Sequence, residues 1–167
     1  MKILRFGMLS LVIVSIAVAH PPQEVPSSMT AQEMQGYLSG EGMALVLPAL
    51  TFGYPDPRRV LEFEMELGLT SEQKGKLQGI SKYLSTQARY FGKKFVAEEL
   101  LLDDFFRTAQ TDLPGLSNQL EKIGNLEWNL RLVHLGSYVR TVKILTPEQL
   151  EKYRKLASRV SSDPRRN

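Results

Sequence analysis

The chain has no cysteine, one tryptophan and two histidines in 167 residues. Without cysteine there is no disulfide, no thiol nucleophile and no lipid-attachment site, so stability must come from packing, capping and charge. Proline is absent between Pro57 and Pro114, which leaves room for a long uninterrupted helix. Segments with the two-residue period of a half-buried strand are also missing, and this points to an all-α fold.

Catalytic motifs are absent as well. The sequence carries no G-x-S-x-G elbow, no phosphate-cradling glycine loop and no His-Glu-x-x-His pair. The acidic pairs Glu98-Glu99 and Asp103-Asp104 are adjacent residues, whose side chains diverge by about 100° on a helix. They read as surface charge, and an enzyme is not expected. Excess charge of one sign is missing too: 21 basic residues face 18 acidic ones. Without Lys2 and Arg5 the difference falls to +1, so no general attraction to nucleic acid is implied.

What is present begins with a basic start, Lys2 to Arg5, followed by the apolar run Phe6 to Ala19, which ends in Ala17-Val18-Ala19. The run is shorter than the roughly 20 apolar residues of a membrane-spanning helix. It reads as a cleaved signal peptide over 1–19 that exports the chain to the periplasm, with retention as an anchor as the alternative. Residues 20–29, rich in proline and serine, read as a flexible tail. A helical domain is expected over 30–160 and a disordered C-terminus over 161–167.

Thr30 with Glu33 forms a capping box that opens a short helix, closed by Gly40-Glu41-Gly42. Pro48 breaks the apolar stretch Met43 to Leu50. A helix from Pro57 to Leu67 ends at Gly68. From Ser71 to about Thr111, Leu77, Leu84 and Phe91 recur seven apart, as do Ala88, Phe95 and Leu102, giving one long helix. After the turn Asp112-Leu113-Pro114-Gly115, a second long helix over Leu116 to Leu145 carries two stripes. One is Leu116, Leu120, Ile123, Leu130 and Val133; the other is Leu132, Leu135, Val139 and Val142. Two stripes imply two packing partners. The short connection makes the long helices a long antiparallel hairpin, flanked by short N- and C-terminal helices.

A pentapeptide occurs twice: Leu69-Thr70-Ser71-Glu72-Gln73 and Leu145-Thr146-Pro147-Glu148-Gln149. Each copy is a helix start, with threonine as N-cap and glutamine returning a bond to the cap's own N–H. Leu145 staples onto Leu150, whereas Leu69, facing Lys74 at the equivalent position, must pack on the core. With both copies in place, the region from about Tyr37 to Leu156 resembles the LTxxQ-motif family of bacterial envelope proteins. That group includes Spy and CpxP and the metal-resistance proteins ZraP and CnrX. The resemblance implies a curved helical homodimer acting as an ATP-independent periplasmic chaperone for unfolded proteins, or an adaptor for an envelope-stress sensor kinase. Heavy-metal sensing or resistance is the alternative it implies.

Candidate residues follow from the residue types. Lys82, Arg89 and Lys93 share a ridge of the first long helix, interleaved with Tyr83 and Tyr90, and form the expected client-binding surface. Trp128 is a core or interface anchor. Metal ligands are scarce: only His134 and His20 are available, and no metal site or other cofactor is expected from them. His134 shares a face with Glu127, Arg131 and Tyr138. On the bland reading Glu127 pairs with Arg131 while His134 and Tyr138 close a polar seam between helices. His20, if N-terminal after cleavage, offers an amine and an imidazole to Cu(II). Glu62, Glu64 and Glu66 read as a solvated face.

Overall fold

The computed structural model describes residues 24–108 and 112–161. The expected signal peptide, His20 and residues 162–167 lie outside them. Among the described residues the chain is all-helical, with α1 Ala31–Ser39, a 3-10 turn Met43–Val46, α2 Leu47–Thr51, α3 Pro57–Glu62, α4 Glu64–Leu67, α5 Ser71–Arg107, α6 Leu113–Val142 and α7 Pro147–Ser161. No helix there is long and apolar enough to cross a membrane.

The long helices α5 and α6 pack together along their length. A Cβ at Gly115 would lie against the Phe105 ring, Gln119 bonds to Glu98, Arg140 stacks on Tyr83, and Gln73 reaches Ile144. Residue numbers therefore fall on one helix as they rise on the other. The α5 residues placed seven apart do face inward: Leu77, Leu84 and Ala88 are fully buried and Phe95 nearly so. Phe95 meets Leu130 of α6 and Leu84 and Ala88 meet Val133, while Leu77 packs with Val60, Leu67, Leu145 and Tyr153. Each fully buried leucine here contributes about 1.5–3 kcal/mol through its removal from water.

Helix boundaries moved for identifiable reasons. Asp112 is a cap and not part of a turn: its side chain accepts from Gly115 N–H at 2.6 Å, so α6 starts at Leu113 with Pro114 in its first turn. Pro48 likewise sits in the first turn of α2 and breaks nothing. The single helix expected over 57–67 is divided at Phe63 (φ −99°, ψ 24°), where the ring turns toward Tyr153 and joins the core under α7. Gly68 does close the segment in the left-handed region, at φ 62°.

The second half of the expected flexible tail is held in place. Ser27 N–H donates to Asp103 Oδ2 at 2.7 Å, its hydroxyl donates to Asp103 Oδ1, and Ser28 donates to Glu99 Oε2 at 2.8 Å. Glu24 pairs with Arg107 at 2.9 Å. The acidic pairs of α5 are thus anchors for the N-terminal segment as well as surface charge. Behind this segment α1 lies so close to α5 that a Cβ at Gly92 would fall 2.0 Å from the Tyr37 carbonyl oxygen.

Candidate functional site

The two pentapeptides meet. Thr70 and Thr146 each cap a helix, accepting from Gln73 N–H at 3.1 Å and Gln149 N–H at 3.2 Å, and each glutamine Oε1 accepts the cap's own N–H at 3.0 Å. The glutamine amides then bond across the junction: Gln73 Nε2 donates to Gln149 Oε1 at 2.7 Å and Gln149 Nε2 donates to Gln73 Oε1 at 3.2 Å. Gln73 Nε2 also reaches the Ile144 carbonyl at 2.9 Å, and Gln149 Nε2 the Leu67 carbonyl at 3.3 Å. Beneath this clasp Leu69 and Leu145 enter one cluster with Val60, Leu67, Leu77 and Tyr153. The motif residues are therefore architecture: they tie the start of α5 to the start of α7.

The expected client ridge is split. Lys82, Arg89 and Lys93 are exposed on one face of α5, while Tyr83 and Tyr90 face another side, as the 100° step between neighbours requires. Arg89 is already engaged, with Nε donating to the Ser39 carbonyl at the C-terminus of α1 at 3.0 Å. Lys94 stands over the Tyr90 ring at 4.6 Å and Arg140 of α6 over the Tyr83 ring at 5.2 Å.

A second surface is more coherent. The second stripe of α6 is half covered: Leu135 packs on Val46, Ala49 and Tyr138, but Leu132 and Val139 are 53% and 46% exposed. Trp128, four residues before Leu132, is 61% exposed, so it is not a core residue of this chain. These side chains form an outward row at helical spacing. Lys143, four residues past Val139, joins the row to a shallow hollow of about 510 Å³ lined by Lys76, Ile80, Tyr83, Arg140 and Ile144. The combined surface is apolar and cationic. Tyr83 is the one residue of the expected ridge that belongs to it. Leu132 and Val139 are visible in the sequence as a stripe; that no described element covers them is not.

His134 is fully buried, and neither ring nitrogen has a hydrogen-bond partner among the described residues. Burial and the Arg58 charge push its pKa down to about 4, against a small opposing effect of Asp56. The polar seam exists without it: Tyr138 OH donates to Asp56 Oδ2 at 3.2 Å, and Arg58 Nη2 donates to the same oxygen at 2.7 Å. Burial alone would raise Asp56, but its bonds to Arg58 and the Arg58 charge outweigh it and hold the carboxyl below its ordinary value. Glu127 and Arg131 pair on the surface at 3.6 Å, so neither joins His134. Glu62 and Glu66 are exposed, and Glu64 pairs with Lys74 at 3.8 Å. Among the described residues no group of three or more histidine and acidic side chains is placed to hold a metal ion.

Comparison with known proteins adds no identity: no family model matches the chain. No curated protein and no solved structure is significantly similar to it.

Proposed function

We propose that this protein is an exported, ATP-independent holder of non-native proteins, or an adaptor that presents such a surface to an envelope-stress sensor kinase. It works in the periplasm as a homodimer of long antiparallel helical hairpins. The observation that carries this reading is the outward row Trp128, Leu132 and Val139 beside the cationic hollow at Tyr83, Arg140 and Lys143. A holder must engage many sequences weakly, and an exposed apolar row rimmed by charge meets that need. Export is supported by the basic start and apolar run over 2–19. The periplasmic setting and the dimer rest on the resemblance carried by the two LTxxQ copies.

Aggregation of a chemically denatured test protein, followed by light scattering without nucleotide, tests the reading. Suppression near a stoichiometric ratio is expected. Unchanged scattering at several-fold excess rejects it. Sedimentation equilibrium tests the oligomer, for which twice the chain mass is expected.

A further inference from the structure

A cavity of about 530 Å³ opens between α7 and the loop joining α2 to α3. Its volume lies within the roughly 300–1,000 Å³ of small-molecule sites. Tyr138 and Tyr153, both almost fully buried, form its inner wall, and Leu50 and Tyr54, exposed at 50% and 39%, form part of its rim. Asp56 also lines it, but that carboxylate is fully engaged. It accepts from Arg58 N–H, Nε and Nη2 at 2.8, 3.1 and 2.7 Å and from the Tyr138 hydroxyl. Its charge is offset where it stands.

Two further guanidinium groups line the same cavity, Arg59 from α3 and Arg154 from α7. Among the described residues neither has an acidic partner within 4.0 Å, unlike Arg58, Arg107 and Arg131. Arg154 is laid over Gly53, whose left-handed φ of 68° brings the backbone close enough that a Cβ would meet Nε at 3.1 Å. Its Nε makes a long bond to the Gly53 carbonyl at 3.4 Å. A guanidinium presents paired donors that match a carboxylate. The cavity thus joins an aromatic wall to two cations that have no acidic partner among the described residues.

From this geometry we infer that the cavity is a binding site for an apolar carboxylate, with the carboxylate on Arg59 and Arg154 and the apolar body against Tyr54, Tyr138 and Leu50. Such a group comes either from a free alkyl or aryl acid or from the last residue of a polypeptide. Both sources share the chemistry and differ in the rest of the molecule.

Isothermal titration of the protein with decanoate, decanol, and a hexapeptide ending in phenylalanine as free acid or as amide separates these cases. Saturable 1:1 binding of decanoate or of the free-acid peptide is expected, at least tenfold tighter than the matching alcohol or amide. The acid that binds names the source. The double variant R59Q/R154Q is expected to lose at least tenfold in affinity with an unchanged circular dichroism spectrum. Ala157→Phe, which fills the cavity and keeps both cations, is expected to lose binding as well and decides the matter if the double variant does not fold. Equal binding of acid and neutral analogue, no binding of either acid, or full binding by a folded variant of either kind overturns the inference.

Discussion

Gln73 and Gln149 hold one another by two reciprocal amide bonds, 76 residues apart in sequence. The chain contains a third capping box, Thr30 with Glu33, in which a carboxylate returns the bond to the cap at 2.8 Å. Glutamate suffices there because Glu33 faces no second copy. At 73 and 149 the side chain must accept from its own cap and donate across the junction, and only an amide does both.

Gln73→Glu therefore separates capping from clasping. The carboxylate keeps the bond to the Thr70 N–H and loses the donors to Ile144 and Gln149. A loss of about 1–3 kcal/mol is expected in a urea denaturation midpoint. Thr146→Ala, which removes a cap, should cost about 1 kcal/mol. A neutral Gln73→Glu would show that capping is the glutamine's whole role.

Stability is expected to fall in acid through His134. Its folded pKa of about 4 lies below the ordinary 6.5, so the unfolded chain takes up the proton first. The native state is fully stable above about pH 6.5 and weakens as pH drops to about 4, by roughly 3 kcal/mol in all at 1.36 kcal/mol per pH unit. Asp56, whose folded pKa is lowered, acts in the same direction: its contribution is present above its ordinary value of 3.8 and is lost as pH falls below it. His134→Leu should remove the slope between pH 6.5 and 4 and leave the lower loss in place. Melting temperatures taken across this range check both.

Gly92 and Gly79 lie on the same helix and should respond oppositely to alanine. At Gly92 a Cβ strikes the Tyr37 backbone oxygen, so α1 must move and a loss of about 1–3 kcal/mol is expected. At Gly79 a Cβ meets nothing within 4 Å, and alanine should stabilise by about 0.5–1 kcal/mol through helix propensity. Thermal unfolding of the two variants gives the sign of each.

Asp103→Ala should release the segment before α1. It removes both Ser27 bonds on an exposed surface, so the global cost is small, about 1 kcal/mol. Limited proteolysis around Ser28 should accelerate clearly more than global unfolding does.

Much of this architecture was legible because it is local. Capping at Thr30, Thr70 and Thr146, the left-handed glycine at 68 and the heptad spacing of Leu77, Leu84 and Phe91 are properties of neighbouring residues. The misread features depend on distant ones. Ser27 and Ser28 are ordered by acids more than 70 residues away, so their composition alone suggested a tail. Adjacent Glu98 and Glu99 look alike in sequence, yet Glu98 receives Gln119 of α6 and Glu99 receives Ser28. Asp112-Leu113-Pro114-Gly115 contains turn residues that serve equally well as a cap and a first helical turn. For the binding surface, the spacing of Leu132 and Val139 was readable. Whether a partner helix covers them is a tertiary fact that spacing does not contain.

The proposed holding of non-native protein on the outer face of α6 is tested most directly by comparing aggregation suppression by the native chain with that by Leu132→Glu/Val139→Glu. Both positions are about half exposed, so the substitutions should alter stability by no more than about 0.5 kcal/mol each. The native chain is expected to suppress scattering near a stoichiometric ratio, and the equally folded variant to need several times more protein for the same effect. Equal suppression by the two proteins, or none by the native chain, would contradict it.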